Sequence, residues 1–267
     1  MASVFGESND APKSGLQASV LEKGFQQQTI HTGIPGFDDA VGGGLPGGNI
    51  YLITGSVGGS AIPFVQQILY QTAIQKGKVA YYAVENSSID IIQDMKVYKM
   101  DIEPYVDDGS WLFTRVIPSN FKKIIDILPE FPMEHRLYLD QTFDGLMNHF
   151  HDQVKDGRNT AIHLQSLIRN FPMEEVQNLL LFLTGVVRRY GGIHFLLITE
   201  GAHDPSVLTT IKDTVDSVFD IVTTVRGNEL ENTVTIQKIR QMVPKSRVIR
   251  LSSRESGLAT ETVRRIQ

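Results

Sequence analysis

Short apolar runs of strand length alternate with helical periodicity along most of this 267-residue chain. The longest helical pattern covers residues 173–190. The apolar runs predicted to be strands lie at residues 49–54, 78–84, 111–117, 160–164, 193–199 and 218–225. Because a helix between two strands carries the chain back across the sheet, such strands pair in parallel. The pattern predicts an α/β fold with a mostly parallel central sheet flanked by helices.

The two ends of the chain depart from this alternation. Residues 1–27 contain few large apolar side chains and many Ser, Gln, Gly, Ala and Lys residues, so we expect a flexible N-terminal tail. Near the other end, two strand patterns at residues 233–240 and 247–251 are joined at Pro244 and predict a C-terminal antiparallel hairpin. Residues 28–267 are therefore expected to form a single domain.

The composition excludes several classes of protein. The chain has no cysteine, which excludes disulfides, cysteine-ligated zinc, iron–sulfur clusters and thiol catalysis. His149 and His151 are two apart on a predicted helix and point to different faces, so no metal site is predicted. No apolar run approaches the ~20 residues needed to cross a bilayer, and no signal peptide is visible. We therefore expect a cytoplasmic protein without a membrane span.

The most informative segment is a glycine-rich loop (residues 55–62) between the strand at 49–54 and the following helix. It consists of Gly55, Ser56, Val57, Gly58, Gly59, Ser60, Ala61 and Ile62. A strand–turn–helix is where a phosphate-binding loop, G-x-x-x-x-G-K-[ST], is found. With Gly55 as the first glycine, Ala61 replaces the lysine and Ile62 replaces the hydroxyl residue that holds Mg²⁺. By itself the loop fits an ordinary glycine-rich turn better than a working phosphate loop.

Pro63 follows this loop and bears on where the next helix begins. A residue that precedes proline is disfavoured in the helical conformation, so we expect the helix to span residues 63–75. The nearest downstream lysine is Lys76, which lies about 24 Å from Ser60 along that helix at 1.5 Å per residue. We therefore expect no lysine of this helix to replace the missing one.

The residues before the loop resemble a known family. The stretch T-G-I-P-G-F-D-D at residues 32–39, followed by G-G-G-L-P-G-G at 42–48, is similar to the entry segment of the KaiC/RadA branch of the RecA-like P-loop ATPases. In that branch a T-G-I-x-G-F-D stretch and a G-G-L-P-x-G turn lead into the phosphate loop. The resemblance implies that residues 28–267 form one RecA-like P-loop NTPase domain.

The resemblance also assigns roles to residues further along the chain. Glu85 lies where the family has the carboxylate that activates the attacking water, and Asn86 replaces the second glutamate of that pair. Gln165 stands at the position of the metal-binding Walker B aspartate. Lys238 and Arg240 match a K-x-R strand that reaches the nucleotide of a neighbouring subunit in oligomers of the family. Their period-two spacing predicts that they share one face of a strand.

The differences from the family pattern all replace residues that bind phosphate, bind the metal or take part in catalysis. The Walker A lysine and Ser/Thr, the Walker B aspartate and one glutamate are absent, so both Walker motifs are degenerate. Because each charge-stabilising group contributes orders of magnitude to the rate, the resemblance implies an ATPase fold without ATPase chemistry. No cofactor is expected. Binding of ATP with Mg²⁺ is expected only under the alternative that a divergent nucleotide site persists. Glu85 is then a vestigial base, while Lys238 and Arg240 are either interface residues or an ordinary solvated strand face.

These residues support three functional hypotheses. The first is a pseudo-ATPase that regulates or scaffolds through contacts with itself or with an active ATPase of the same fold. The second is a divergent ATP-binding enzyme with weak hydrolysis that uses Glu85. The third is a RecA/RadA-like nucleic-acid-binding repair protein. The predicted loops at residues 166–173 and 201–213 argue against this third hypothesis, because they contain few basic or aromatic residues.

The charge of the chain is distributed unevenly around a formal net charge of -5. Residues 238–267 contain eight basic and two acidic residues, a net charge of +6, whereas the other 237 residues carry -11. The overall acidity argues against nucleic-acid binding over the whole surface. The basic end predicts that any association with an acidic surface weakens as salt is added.

Overall fold

The computed structural model describes residues 28–84, 86–125, 127, 133–226 and 229–261. The predicted flexible tail at residues 1–27 lies outside this part of the chain. The described strands are β1 (Thr29–Ile30), β2 (Leu45–Pro46), β3 (Asn49–Gly55), β4 (Lys78–Ala83), β5 (Trp111–Pro118), β6 (Glu134–Leu139), β7 (Arg158–His163), β8 (Ile193–Thr199), β9 (Ser217–Arg226), β10 (Glu229–Lys238), β11 (Val248–Arg254) and β12 (Gly257–Thr260). The described α-helices are α1 (Phe37–Val41), α2 (Ala61–Ile74), α3 (Ser88–Val97), α4 (Glu103–Asp107), α5 (Lys122–Ile125), α6 (Asp144–Lys155), α7 (Gln165–Asn170), α8 (Met173–Tyr190) and α9 (Pro205–Thr214).

A ten-stranded sheet runs through the molecule in the order β12-β11-β10-β9-β3-β8-β7-β4-β5-β6. From β9 to β6 every pair of neighbours is parallel. At the other side, β9, β10, β11 and β12 form a four-stranded antiparallel meander. The predicted parallel sheet with a C-terminal antiparallel hairpin is confirmed, and that hairpin is part of the longer meander.

Helices cover both faces of this sheet. In β3, Tyr51 and Ile53 are buried in a core that includes side chains of α1, α2 and α3. Their neighbours Ile50 and Leu52 are buried in a second core, which includes side chains of α6, α7 and α8. Because successive side chains of a strand point to opposite faces, a strand covered on both sides is apolar at nearly every position. This accounts for the continuous apolar run that marked the strand in the sequence.

Helix α2 begins earlier than the sequence predicts. Its bounds are Ala61–Ile74, so Ile62 is helical although Pro63 follows it. The first hydrogen bond at this end runs from the Phe64 N–H to the Ser60 carbonyl at 2.9 Å. Because the first N–H groups of a helix have no acceptor within it, the missing donor of Pro63 costs nothing there. The predicted start at residue 63 is therefore corrected to Ala61.

Eight of the described strands and α-helices escaped the sequence prediction: β1, α1, β2, α4, β6, α7, α9 and β12. Strand β6 lies at the sheet edge and carries Glu134, His135 and Arg136, which hide the strand pattern. Helices α7 and α9 occupy segments that we predicted as loops. They are short and anchored by buried side chains such as Leu167 and Ile211. Such helices depend on packing more than on local propensity, so a single sequence signals them weakly.

The T-G-I-P-G-F-D-D stretch forms a turn that is closed by Asp38. The Asp38 carboxylate accepts hydrogen bonds from the backbone N–H of Thr32 at 3.1 Å and from its hydroxyl at 2.7 Å. Beside it, the Phe37 ring packs edge-on against Phe64 of α2, with centroids 5.2 Å apart. The entry segment is thus fixed to the helix that follows the glycine-rich loop.

Across the described residues, none of the helices has the length and apolar character needed to span a bilayer.

Candidate functional site

A crevice opens at the carboxyl ends of β3, β4, β7 and β8. Open parallel sheets bind their ligands at this end of the strands. The cavity has a volume of about 200 Å³. Its described lining contains no Lys, Arg, Asp or Glu; it consists of Gly55, Ser56, Val57, Gly58, Gly59, Ala61, Ile62, Ala83, Val84, Asn86, Ile91, His163, Gln165, Ser166, Leu197, Ile198 and Thr199. The structure therefore brings the glycine-rich loop and Gln165 together, as the sequence predicts.

The path of the glycine-rich loop requires glycine at particular positions. A Cβ atom added to Gly55 would lie 2.3 Å from the Cβ of Ala61, so the strand end and the start of α2 touch directly. Gly58 has φ +68°, a left-handed conformation that glycine adopts at little cost. The Gly59 N–H donates to the Ser56 carbonyl at 3.0 Å and closes the turn. The backbone thus follows a tight strand–turn–helix path.

The side chains of this loop are apolar where a phosphate loop is charged or polar. Ala61, at the lysine position, is buried against Gly55. Ile62, at the Ser/Thr position, is 39% exposed, and Val57 is 87% exposed. Ser60, which replaces the second glycine, is buried and precedes α2. Ala61 and Ile62 therefore supply neither the ammonium nor the metal-binding hydroxyl that phosphate and Mg²⁺ require at these two positions.

Gln165 is the first residue of α7, two residues beyond the end of β7. Its neutral carboxamide lines the crevice, at the position where the family resemblance implies a metal-binding carboxylate. Next to it, the His163 Nε2 atom lies 2.9 Å from the Tyr81 hydroxyl. Burial raises the pKa of Tyr81, which keeps this phenol neutral. Glu85, the predicted vestigial base, lies outside the described residues, and its role remains a prediction.

Lys238 and Arg240 do not share a strand face, which corrects the sequence prediction. Lys238 is the last residue of β10, after a register shift that begins at Ile236, and Arg240 lies beyond the strand. The Lys238 ammonium donates to the carbonyls of Asp213 at 3.1 Å and Val215 at 2.6 Å, at the end of α9. Carbonyls at the end of a helix lack partners within it and attract cations.

Arg240 lies far from the crevice of its own chain. Its backbone carbonyl accepts a hydrogen bond of 3.2 Å from the Asn49 side chain, at the amino end of β3. Gly55 ends the same strand, about 20 Å away at 3.3 Å per residue. The structure therefore does not bring Arg240 to the glycine-rich loop of the same chain. Its proposed contact with a neighbouring subunit remains a prediction.

A search against protein-family models matches the family described as "ATPase: KaiC" over residues 30–259. The chain belongs to the KaiC ATPase family. Among curated relatives, a UPF0273 protein of Thermotoga maritima is 32% identical over 83 residues, which cover 31% of this chain and 34% of that protein. The circadian clock protein KaiC3 of Synechocystis is 33% identical over 93 residues, or 34% of this chain and 18% of that protein. The chain thus spans 34% and 18% of the length of these two relatives.

Two solved structures share the fold. The KaiC-like protein PH0186 of Pyrococcus horikoshii superposes with a TM-score of 0.68 at 20% identity, over 88% of this chain and all of that one. The flagellar accessory protein FlaH of Methanocaldococcus jannaschii gives a TM-score of 0.70 at 18% identity, over 89% of this chain and all of that one. At such identities the likeness shows a KaiC/RecA-like fold, and the activity has to be argued from the crevice itself.

Proposed function

We propose that this KaiC-family chain is a pseudo-ATPase that regulates or scaffolds through protein–protein contacts. Its partner is a second copy or an active ATPase of the same fold. The observation that carries the proposal is the crevice chemistry: Ala61 and Ile62 occupy the lysine and hydroxyl positions, and Gln165 occupies the Walker B position. Catalysis of phosphoryl transfer depends on charge stabilisation and metal binding, and none of these three side chains carries a charge.

The size of the crevice supports the same proposal. Its volume of about 200 Å³ is below the range of about 300–1,000 Å³ that is typical of small-molecule sites. Val57 and Ile62 place exposed apolar surface at the rim of this crevice. Exposed apolar surface beside a cleft favours contact with a protein more than contact with a triphosphate.

One observation favours a second function, weak ATP binding. The glycine-rich loop keeps the strand–turn–helix path, and α2 is a 14-residue helix whose N-terminus follows the loop directly. Backbone N–H groups and the positive end of the helix dipole attract phosphate even without a lysine. A divergent ATPase of this kind would rely on Glu85 as its base.

Calorimetric titration of the full chain with Mg·ATP, together with an assay of phosphate release, separates the two functions. A pseudo-ATPase is expected to show no micromolar binding and no steady turnover. Micromolar binding with steady turnover would contradict the proposal. In that event, loss of turnover in Glu85→Gln, with ATP binding retained, would establish the divergent ATPase.

A further inference from the structure

We propose that this chain binds an oxyanion, a phosphate or carboxylate group, in an arginine pocket at the amino ends of β3 and β8. The arginine pocket is defined by Arg188, Arg189 and Arg240, which line a cavity of about 470 Å³. Gly47, Gly48, Gly191 and Gly192 form another part of its wall. This end of the sheet is opposite the crevice, so the pocket is separate from the glycine-rich loop.

A buried carboxylate holds two of the three arginines in place. Asp216 directly precedes β9, and its side chain is fully excluded from solvent. Its Oδ1 atom accepts from the Arg188 Nη2 at 2.7 Å and from the Arg240 Nη1 at 3.3 Å. Its Oδ2 atom accepts from the backbone N–H of Ile50 at 3.2 Å. Asp216 therefore fixes the two guanidinium groups against the wall of the cavity.

The arginines keep donors for a ligand. A guanidinium has five N–H donors in a rigid fork, and each of these hydrogen bonds to Asp216 uses one. The Arg188 and Arg240 side chains remain 50% and 39% exposed. Within the described residues Arg189 forms no ion pair, and its guanidinium lies 5.6 Å from the centroid of the Tyr190 ring. Three positive groups and one buried negative group give the pocket a net charge of +2.

The helix dipole explains only part of this arrangement. Arginines in the last turn of α8 are favoured by its negative end, which accounts for Arg188 and Arg189. The dipole of α8 does not account for Arg240, which lies in the segment after β10 and donates to the same Asp216 carboxylate. Arginines from two distant segments around a concave, glycine-walled cavity are typical of a built anion site rather than of a solvated helix end.

The ligand class follows from the shape and charge of the pocket. A planar guanidinium fork matches the paired oxygens of a phosphate or a carboxylate. The volume of about 470 Å³ is in the range of sites for small organic ligands. Glycine backbone on one wall lets such a ligand approach closely. Two kinds of small molecule carry such a group: phosphorylated compounds, which offer a phosphate, and organic acids, which offer a carboxylate.

Calorimetric titration of the full chain with pyrophosphate and, separately, with citrate tests the site. Wild-type protein is expected to bind at least one probe, and the probe whose binding Arg189→Gln weakens identifies the oxyanion of the arginine pocket. Arg189→Gln removes a guanidinium without breaking a described ion pair, so the fold should persist. The variant is expected to bind about tenfold more weakly, the usual effect of losing one charge-assisted hydrogen bond.

Arg169→Gln is the matched control, because Arg169 also lies in the last turn of a helix, α7, and its removal changes the net charge equally. This control is expected to bind the probe like the wild type. Absence of millimolar binding of both probes to the wild type would overturn the proposal. Equal weakening by Arg189→Gln and Arg169→Gln would overturn it too, since it would show attraction to net charge alone. Neither outcome bears on the ATPase question, which concerns the crevice at the other end of the sheet.

Discussion

His194 lies in β8 with both ring nitrogens hydrogen-bonded inside the protein. Its Nε2 atom is 2.8 Å from the Gly191 carbonyl, which can only accept, so this nitrogen carries the hydrogen. Its Nδ1 atom is 3.0 Å from the Thr160 hydroxyl, which therefore donates to it. Burial lowers the pKa of His194 to about 4. The folded protein thus contains a neutral histidine that the unfolded chain protonates more readily.

We expect this histidine to make stability fall in mild acid. An unfolded histidine has a pKa near 6.5, so as the pH falls the unfolded state binds the proton first. The contribution of neutral His194 to the stability of the folded protein is therefore complete above about pH 6.5 and is lost as the pH falls towards 4. His194→Gln should reduce the slope of unfolding free energy against pH in this window by up to about 1.4 kcal/mol per pH unit.

Urea unfolding at a series of pH values measures this slope. His151→Gln is the control for the loss of a histidine side chain that is not buried, since His151 of α6 is half-exposed. Burial also lowers the pKa of His149, so the slope of the His194→Gln variant should be smaller but not zero. An unchanged slope in that variant would contradict a neutral buried His194.

At the level of elements, the junction between β3 and α2 sets the position of the glycine-rich loop. Gly55 and Ala61 touch across this junction, whereas a Cβ atom added to Gly58 would meet no atom within 4 Å. The two glycines are therefore needed for different reasons. Gly55 allows a strand end and a helix start to meet, and Gly58 allows a left-handed backbone conformation.

Two alanine substitutions separate these reasons. Gly55→Ala should reduce the free energy of unfolding by about 3 kcal/mol, because the new methyl group collides with a buried side chain. Gly58→Ala should cost about 1 kcal/mol, the usual penalty for an ordinary residue in the left-handed region. Urea unfolding at neutral pH compares the two variants. Similar losses in both would show that Gly55 is not tightly packed against α2.

Some elements were predictable from the sequence and others were not. The bounds of α8 and β8 agree with their predictions residue for residue, because α8 has a long periodic pattern and β8 is a mostly apolar run flanked by glycines. The start of α2 was misplaced, because a local preference before Pro63 yielded to the packing of Ala61 under Gly55. Edge strand β6 was missed, since its polar residues at positions 134–136 interrupt the apolar run that marks the buried strands.

The whole molecule combines an acidic body with a basic end. Residues 238–267 carry a net charge of +6 and the remainder -11. Two copies of the chain, or this chain and an acidic partner, would attract each other through surfaces of opposite charge. Such attraction between exposed charges is screened by salt, because the Debye length shortens from about 10 Å at 0.1 M to about 3 Å at 1 M.

We expect self-association, measured by sedimentation velocity, to weaken between about 0.05 M and 0.5 M salt. Replacing Arg264 and Arg265 with glutamine should weaken it further at low salt. Replacing Lys122 and Lys123 with glutamine removes the same charge from α5, outside the basic end, and is the matched control. A monomer whose sedimentation is indifferent to salt would contradict this expectation.

The sequence by itself determined the KaiC/RecA-like fold and the uncharged residues at the positions that the family resemblance assigns to phosphate and metal binding. Both depend on local patterns: alternating strands and helices, the entry segment, and the residues at positions 61, 62 and 165. Only the tertiary structure decided where Lys238 and Arg240 point. Lys238 closes the end of α9, and Arg240 joins Arg188 on Asp216. The physical reason is that these partners are 23 to 52 residues apart in the chain, and only packing determines which of many polar groups they meet.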